Sequence, residues 1–427
     1  MEDTLTTELR TIRLCDVVFD PGIYPRSKHD PALVQRYQEV LESIESQHNF
    51  MSVASDLRLI DGRHRHLAYL SAYAEQPERE IQVFVYPVAE DDEIYDLACD
   101  LNSEFGWQMT EDDKRRAAIK MYTRENRKPQ EYIAGRLKVR KEKVNQWLQA
   151  ILKQEKEDRE NAMWSMWLAC HTQEAIAEAV GITKQATNQF LQKSQEEFRG
   201  NDALLFRNFE PQVYNVWSFG KLTNQTTVFG SIPQEVIDNL LYYYTQPFDV
   251  VFDPFGGGGS TIDKCIERKR RYYVSDLSPI PARGDIRQWD IMDGLPDDLP
   301  VPDLVFLDPP YWQQAKGKYS DKDTDLGNVD LDTFLGTVAE ITKAVKRKWG
   351  QDRDNARLAI IIGQWKHDGH YLDLPFLCYQ TISKYLELDM RIQVPYPTQV
   401  HGGNYVKQAK ENREILYLTR DLMVFRR

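Results

Sequence analysis

Asp253-Pro254-Phe255-Gly256-Gly257-Gly258-Gly259-Ser260-Thr261 follows directly on the mostly apolar run Phe248–Phe252. A second stretch, Asp308-Pro309-Pro310-Tyr311-Trp312, follows Leu304–Leu307. Short runs rich in Val, Phe and Leu, closed by Pro or Gly, read as buried parallel strands. In an open α/β sheet, ligands collect at the carboxyl ends of such strands, so both stretches are expected to face one crevice. A glycine run between strand and helix lets the backbone approach a ligand closely, and the helix N-terminus beyond it favours a carboxylate. The next strand, Arg271–Ser275, ends at Asp276, 23 residues after Asp253, where an acid is placed for ribose hydroxyls.

The two motifs, in this order over roughly residues 214–420, resemble those of S-adenosylmethionine-dependent amino-methyltransferases of DNA, which methylate adenine N6 or cytosine N4. Many members of that family carry the motifs in the reverse order. The resemblance implies a Rossmann-like α/β domain with a mostly parallel sheet and S-adenosylmethionine as cofactor. Asp253, Phe255, Gly256, Gly258, Ser260, Asp276 and Asp290 would line the cofactor site. Gly256 and Gly258 would let the methionine carboxylate approach, and Asp290 is the candidate for the adenine edge; a solvated loop acid is the other reading of Asp290. Tyr214–Trp217 and Gly230–Pro233 lead into an amphipathic helix, Gln234–Tyr244, which in the family packs beside the methionine end of the cofactor.

Asp308, Pro309, Pro310 and Tyr311 would carry the chemistry. An exocyclic amino group is a poor nucleophile because its lone pair is delocalised into the ring. The Asp308 carboxylate and the Pro309 carbonyl are two close acceptors for its hydrogens. Pro310 fixes the backbone so that this carbonyl points inward, and Tyr311 offers a face for an extruded base. Cys265 and Cys378 lack the Pro-Cys setting of ring-carbon methylating enzymes. Asp at the head of the second motif favours adenine, since cytosine-N4 enzymes more often carry Ser there. The segment Gln313–Val329, with Lys316, Lys318 and Lys322, reads as a mobile loop able to close over DNA. Further strands are expected at Leu358–Ile362 and Ile415–Leu418, a loop near the site at Pro395–Tyr405, and Asn412-Arg413-Glu414 resembles a late family motif.

The 427 residues suffice for two or three domains, and a hydrophobic content of 41% supplies a sizeable core. Five scattered cysteines without a CxxC pair argue against a disulfide framework or a zinc site and fit a reducing cytoplasm. No apolar run approaches a membrane span, and Met1–Arg13 is unlike a secretory signal. The net charge of −12 alone speaks against nucleic acid, but residues 111–153 hold 13 Lys+Arg against 6 Asp+Glu. This basic middle, at +7, leaves −19 for the rest, the distribution expected of a nucleic-acid footprint in an acidic chain.

In residues 1–108, a strand is expected at Ile12–Phe19, a helix at Pro31–Gln47, and strands at Leu57–Ile60 and Ile81–Tyr86. Tyr24-Pro25-Arg26 and Asp61-Gly62-Arg63-His64-Arg65 resemble motifs of ParB-like N-terminal domains, where the second opens a helix and binds nucleotide phosphates. A glycine turn and guanidinium groups at a helix start suit an anion. CTP is therefore a candidate ligand, although Leu101–Phe105 lacks the arginine found near the family's third motif; a structural or DNA-phosphate-contacting domain that kept the fold is the other reading. His64 and His66 read as packed or solvated side chains, and no metal site is expected.

Residues 109–199 read as two helix-turn-helix units. In the first, Thr110 caps a helix to about Arg124, Pro129–Leu137 is a second, and Val139–Leu152 a third carrying Lys141, Lys143, Asn145 and Gln146. The pattern recurs at His171–Leu191, with caps at Thr172 and Thr183, a turn at Gly181, and Lys184, Gln185, Asn188 and Gln189 on the second helix. Amides and lysines there read base edges and phosphates. Glu157–Trp167 and Gln195–Asn201 are expected to be charged connectors.

The sequence thus points to three domains: 1–108, ParB-like and α+β; 109–199, all-α and DNA-binding; 200–427, the methyltransferase. The expected activity is site-specific methylation of adenine N6 in double-stranded DNA, as in restriction-modification. Three alternatives stay open: cytosine N4 methylation, a nucleotide-dependent ParB-like clamp without methyl transfer, and methylation of a protein amide. A homodimer is compatible with any of these.

Overall fold

A computed structural model describes residues 7–104, 108–198, 200, 202–219, 232–313, 316–317, 319–367, 370–396 and 403–427. Phe105, Asn201, Gly230, Ser231, Lys318 and residues 397–402 of the expected Pro395–Tyr405 loop lie outside this set. The chain forms two compact units, Met1–Glu157 and Asp158–Arg427.

The first unit begins with β1 (Glu8–Arg13), α1 (Pro31–Glu39), α2 (Leu41–Ser46), β2 (Met51–Val53), β3 (Leu59–Asp61), α3 (Arg63–Ala72), β4 (Glu80–Val85) and α4 (Asp91–Glu104). The sheet order is β1-β4-β2-β3, with β2 parallel to β4 and the other pairs antiparallel. The first strand starts earlier than expected and gives way to a 3-10 turn at Leu14–Asp16. The expected Pro31–Gln47 helix breaks at Val40, whose backbone leaves the helical region. Val53, Leu59, Ala68 and Val83 are among the residues of its core.

The helical part of this unit is α5 (Glu111–Thr123), α6 (Gln130–Leu137) and the start of α7 (Lys141–Leu168). Thr110 and Asp113 form a reciprocal capping box, so two first-turn donors are satisfied at once. Helix α7 runs 28 residues, through the expected connector Glu157–Trp167. No Gly or Pro interrupts it, and Met163, Trp167 and Leu168 are buried in the core of the second unit.

That unit continues with α8 (Gln173–Val180), α9 (Lys184–Phe198), α10 (Asp202–Leu205) and α11 (Gln234–Tyr244). The sheet elements follow: β5 (Val250–Asp253), α12 (Ser260–Glu267), β6 (Arg271–Asp276), β7 (Arg287–Gln288), β8 (Leu304–Leu307), α13 (Leu331–Trp349) and β9 (Arg357–Gly363). A small hairpin, β10 (Trp365–His367) and β11 (His370–Leu372), precedes α14 (Leu374–Ile382), β12 (Glu387–Pro395), α15 (Gly403–Asn412) and β13 (Thr419–Arg426). The last strand lies beyond the expected Ile415–Leu418, where Ile415 is 88% exposed.

The seven-stranded sheet has the order β12-β13-β9-β8-β5-β6-β7. It is parallel from β9 to β7 and antiparallel at β13 and β12. This is the expected Rossmann-like architecture with a mostly parallel sheet. Strand alternation sorts its side chains into two cores. Val251, Val274, Phe306, Ile361 and Val424 lie on one face, and Phe252, Tyr273, Leu307, Ile360 and Phe425 on the other. Continued to the strand tips, this alternation puts Asp253, Asp276, Asp308 and Gly363 on the first face. Arg420 pairs with Gly363 in the antiparallel register, so it joins the same edge.

Candidate active site

At that edge lies a crevice of about 360 Å³, within the size range of small-molecule sites. Asp253, Phe255, Gly256, Gly258, Ser260, Asp276, Asp290, Asp308 and Pro310 all line it. Every candidate cofactor residue is therefore on one wall system with two of the four candidate catalytic residues. Pro309 is buried at the strand tip, and Tyr311 stands half-buried beside the crevice.

The glycine turn is held from below. Gly256 N–H donates to the Ser275 carbonyl at 2.8 Å, and a Cβ built on Gly256 would lie 2.6 Å from Val274 Cγ1. Gly259 takes a left-handed conformation, φ 83°, directly before α12. Asp253 accepts from Phe255 N–H at 2.9 Å and from the Thr261 hydroxyl at 2.5 Å. Asp276 accepts from Gly257 N–H at 2.9 Å and Ser278 N–H at 2.8 Å. Asp290 accepts from Met292 N–H at 3.0 Å, capping a short 3-10 turn.

Asp308 differs from these three acids. Among the described residues its carboxylate has no hydrogen-bond partner, and it stands half-buried on the crevice wall. Desolvation pushes it up to about 7; the Arg420 guanidinium opposes that rise and Asp253 adds to it. Asp253 is likewise pushed up to about 7, by burial. A carboxylate in this range can both accept hydrogen bonds and take up a proton near neutrality.

Behind Asp308 the wall is aromatic and cationic. Arg420 is 4% exposed, lies 4.5 Å from the Tyr396 ring centroid and stands close to Tyr311. Burial raises the Tyr311 phenol well above its ordinary value, so it stays protonated. Gly363 leaves the space between them: a Cβ there would meet Tyr396 Oη at 3.1 Å and Tyr311 Cε2 at 3.4 Å. Neither Arg420 nor Tyr396 carries a local motif; only the antiparallel return of β13 brings them here.

The segment 316–329 supplies further lining, Tyr319, Ser320, Thr324, Asp325 and Leu326. Turns hold its described residues: Asp325 accepts from the Ser320 hydroxyl and Gly327 N–H, and Asn328 accepts from Gly317 N–H. Its lack of periodicity hid this role in the sequence.

The eight candidate DNA-reading residues divide four and four between the units. Lys141 pairs with Glu131, Lys143 with Glu111 at 3.1 Å, and Lys184 with Glu174. Asn145, Gln146, Gln185 and Gln189 are exposed, while Asn188 is half-buried and accepts from Gln173 at 3.4 Å.

In the first unit, a crevice of about 510 Å³ is lined by Phe19, Tyr24, Arg26, Lys28, Arg63, Arg116 and Lys120, among others. Asn102, fully buried, accepts from the Tyr24 hydroxyl and Arg26. Arg65 turns inward to Asp61 and the Phe50 carbonyl instead of lining the crevice. His64 and His66 are buried, and no group of three metal-binding side chains occurs among the described residues.

A Rossmann-like sheet with a glycine turn and an acid at adjacent strand tips is an arrangement that suits a nucleotide-type cofactor. Residues 104–279 match a family described as DNA methylase, the N6/N4 amino-methyltransferases. Over those residues the chain is similar to that family, and the match supports a DNA amino-methyltransferase with S-adenosylmethionine as methyl donor. The matched span includes the glycine turn and ends before Asp308.

No curated protein matches the sequence. Among solved structures, the chain is similar to a precorrin-6y C5,15-methyltransferase from Geobacter metallireducens, at 15% identity over 47% of this chain and 92% of that one, TM-score 0.28. It is also similar to a Pnob8-like ParB-N domain, at 12% identity over 34% and 69%, TM-score 0.25. A third is a ParB from Caulobacter crescentus complexed with CTP-gamma-S, at 12% identity over 34% and 79%, TM-score 0.19.

Proposed function

We propose that the protein methylates the exocyclic N6 of adenine in double-stranded DNA. The observation that carries this reading is the Asp308 carboxylate, not engaged by the fold, on the wall it shares with the glycine turn. The donor residues fit the cofactor: the α12 N-terminus and glycine turn suit its carboxylate, Asp276 its ribose and Asp290 its adenine edge. Phe255 and Ile291 give that crevice an apolar lining. When bound, S-adenosylmethionine supplies a methyl group on a positive sulfur.

Asp308 and the Pro309 carbonyl then accept the two amino hydrogens and favour a pyramidal nitrogen. Tyr311, beside Arg420, offers the extruded base a ring face. The nitrogen loses one proton as it gains the methyl group, and the Asp308 carboxylate is the base in reach of it. Positioning supplies much of the rate.

Incubation of the chain with labelled cofactor and unmethylated DNA, followed by nucleoside analysis, tests this. N6-methyladenine is expected. N4-methylcytosine would overturn the choice of base, and no methylated nucleoside would overturn the reading itself.

The free protein's kcat/KM should fall about tenfold per pH unit below about pH 7, as Asp308 takes up its proton. Because Asp253 also titrates near there, the profile reports the coupled pair. Arg420→Gln should move the midpoint to higher pH, since Arg420 acts on Asp308 and not on Asp253. An unmoved midpoint would assign the profile elsewhere.

The three-domain division and a cytoplasmic location remain part of the proposal; no helix among the described residues is long and apolar enough to cross a membrane. The basic crevice of the first unit supports a second ligand there, a nucleotide such as CTP. Its five cations Arg26, Lys28, Arg63, Arg116 and Lys120 suit a polyphosphate. Equilibrium dialysis with CTP checks it, and light scattering checks the homodimer.

A further inference from the structure

The two helix-turn-helix units share more than a pattern. Residues 129–148 and 172–191 align without a gap at a spacing of 43, and eight of the twenty positions are identical. Gln130-Glu131 and Gln173-Glu174, Ile133-Ala134 and Ile176-Ala177, Lys141 and Lys184, Asn145-Gln146 and Asn188-Gln189, and Leu148 and Leu191 coincide.

The structure repeats with the sequence. The turn residues Lys138 and Gly181 both take left-handed backbone, φ 50° and 67°. Val139 N–H donates to the Ala134 carbonyl at 3.1 Å, and Ile182 N–H to the Ala177 carbonyl at 3.0 Å. Lys141 pairs with Glu131 as Lys184 pairs with Glu174. Ile133, Ala134, Val144 and Leu148 are buried, as are Ile176, Ala177, Thr187 and Leu191. Packing can explain the shared apolar residues. It does not explain the identical glutamines, because Gln146 and Gln189 are both exposed; of the asparagines, Asn145 is exposed and Asn188 is half-buried beside Gln173.

Asn and Gln are the side chains that read adenine bidentately in the major groove. We infer that the two units are copies of one reading module. The protein therefore recognises duplex DNA carrying the same short base word twice, read once by Asn145-Gln146 and once by Asn188-Gln189. This rests on the reading of DNA as substrate.

The copies differ in charge. Arg136, Lys138, Arg140 and Lys143 in the first correspond to Ala179, Gly181, Thr183 and Ala186 in the second. Phosphate contacts carry affinity without sequence information, whereas base contacts specify. The first copy thus anchors and reads; the second mainly reads.

Selection from a randomised duplex library by the full-length protein, followed by sequencing, tests this. Enriched sequences should contain two copies of one word. Asn145→Ala/Gln146→Ala should relax one copy and Asn188→Ala/Gln189→Ala the other, at the same base positions within the word. Each should lose roughly tenfold to a hundredfold of discrimination there. Arg140→Thr/Lys143→Ala should leave the selected words unchanged and flatten the slope of log affinity against log salt by about 0.9 for each phosphate no longer neutralised. Unchanged thermal melting would show that each variant folds. A single word, or two unrelated words, overturns the inference. If such DNA is still methylated, the methyltransferase reading stands without it; if no DNA is bound or methylated, both fall.

Discussion

Asp308→Asn should lower methyl transfer by roughly 10³-fold, the scale of losing one well-placed polar group at a reacting centre. Cofactor affinity should stay within a fewfold, because the glycine turn and Asp276 are untouched. The amide keeps the size of the carboxylate but turns one acceptor into a donor facing the substrate amino group, and it cannot take up a proton. The same change should stabilise the fold. Desolvation raises the folded-state value of Asp308 to about 7, above its ordinary 3.8. The folded protein therefore holds this proton more tightly than the unfolded chain. The penalty of the charged group is absent below about pH 4, grows as pH rises towards 7, and is constant above. Asn carries no such penalty, so the melting temperature of the variant should exceed that of the wild type most at pH 7.5 and least near pH 4. Loss of cofactor binding in step with loss of transfer would mean that Asp308 serves the cofactor.

The parts of this site that are legible in the sequence are local. Strand, glycine turn and helix start are one continuous stretch at residues 250–267, so composition and spacing suffice to read them. The same holds for Asp276 at the tip of the next strand and for Asp308-Pro309-Pro310-Tyr311. Arg420 and Tyr396 are not legible, because they reach the site only through the antiparallel pairing of β13 with β9 and β12. No local signal marks a strand that returns from the far end of the chain. Helix α7 departs from expectation for a related reason. Its charged middle reads as a connector, and only burial of Met163, Trp167 and Leu168 in the core of residues 158–427 shows why the helix continues. Among the acids, residue type alone does not separate the engaged from the open. Asp253, Asp276 and Asp290 hold backbone turns, and only their hydrogen bonds distinguish them from Asp308.

Gly256→Ala should remove most cofactor binding while sparing DNA binding by the two reading modules. The added Cβ would fall 2.6 Å from Val274 Cγ1, 3.1 Å from the Ser275 carbonyl and 3.2 Å from Ile286 Cγ2. Two of these neighbours are packed side chains and the third is strand backbone, so the turn must lift. Lifting it breaks the 2.8 Å bond from Gly256 N–H to Ser275 and pulls Gly257 N–H away from Asp276. Overpacking of this kind costs about 1–3 kcal/mol of stability. A displacement approaching 1 Å at a positioning element costs on the order of 10²-fold, here expected in cofactor affinity by calorimetry. The mechanism is steric, so it has a specific remedy. Val274→Ala deletes the atom in closest conflict and should restore part of the affinity when combined with Gly256→Ala, although alone it leaves a cavity and should only destabilise. A double variant no better than Gly256→Ala would show that glycine is needed there for another reason, such as direct approach of the ligand to the Gly256 backbone.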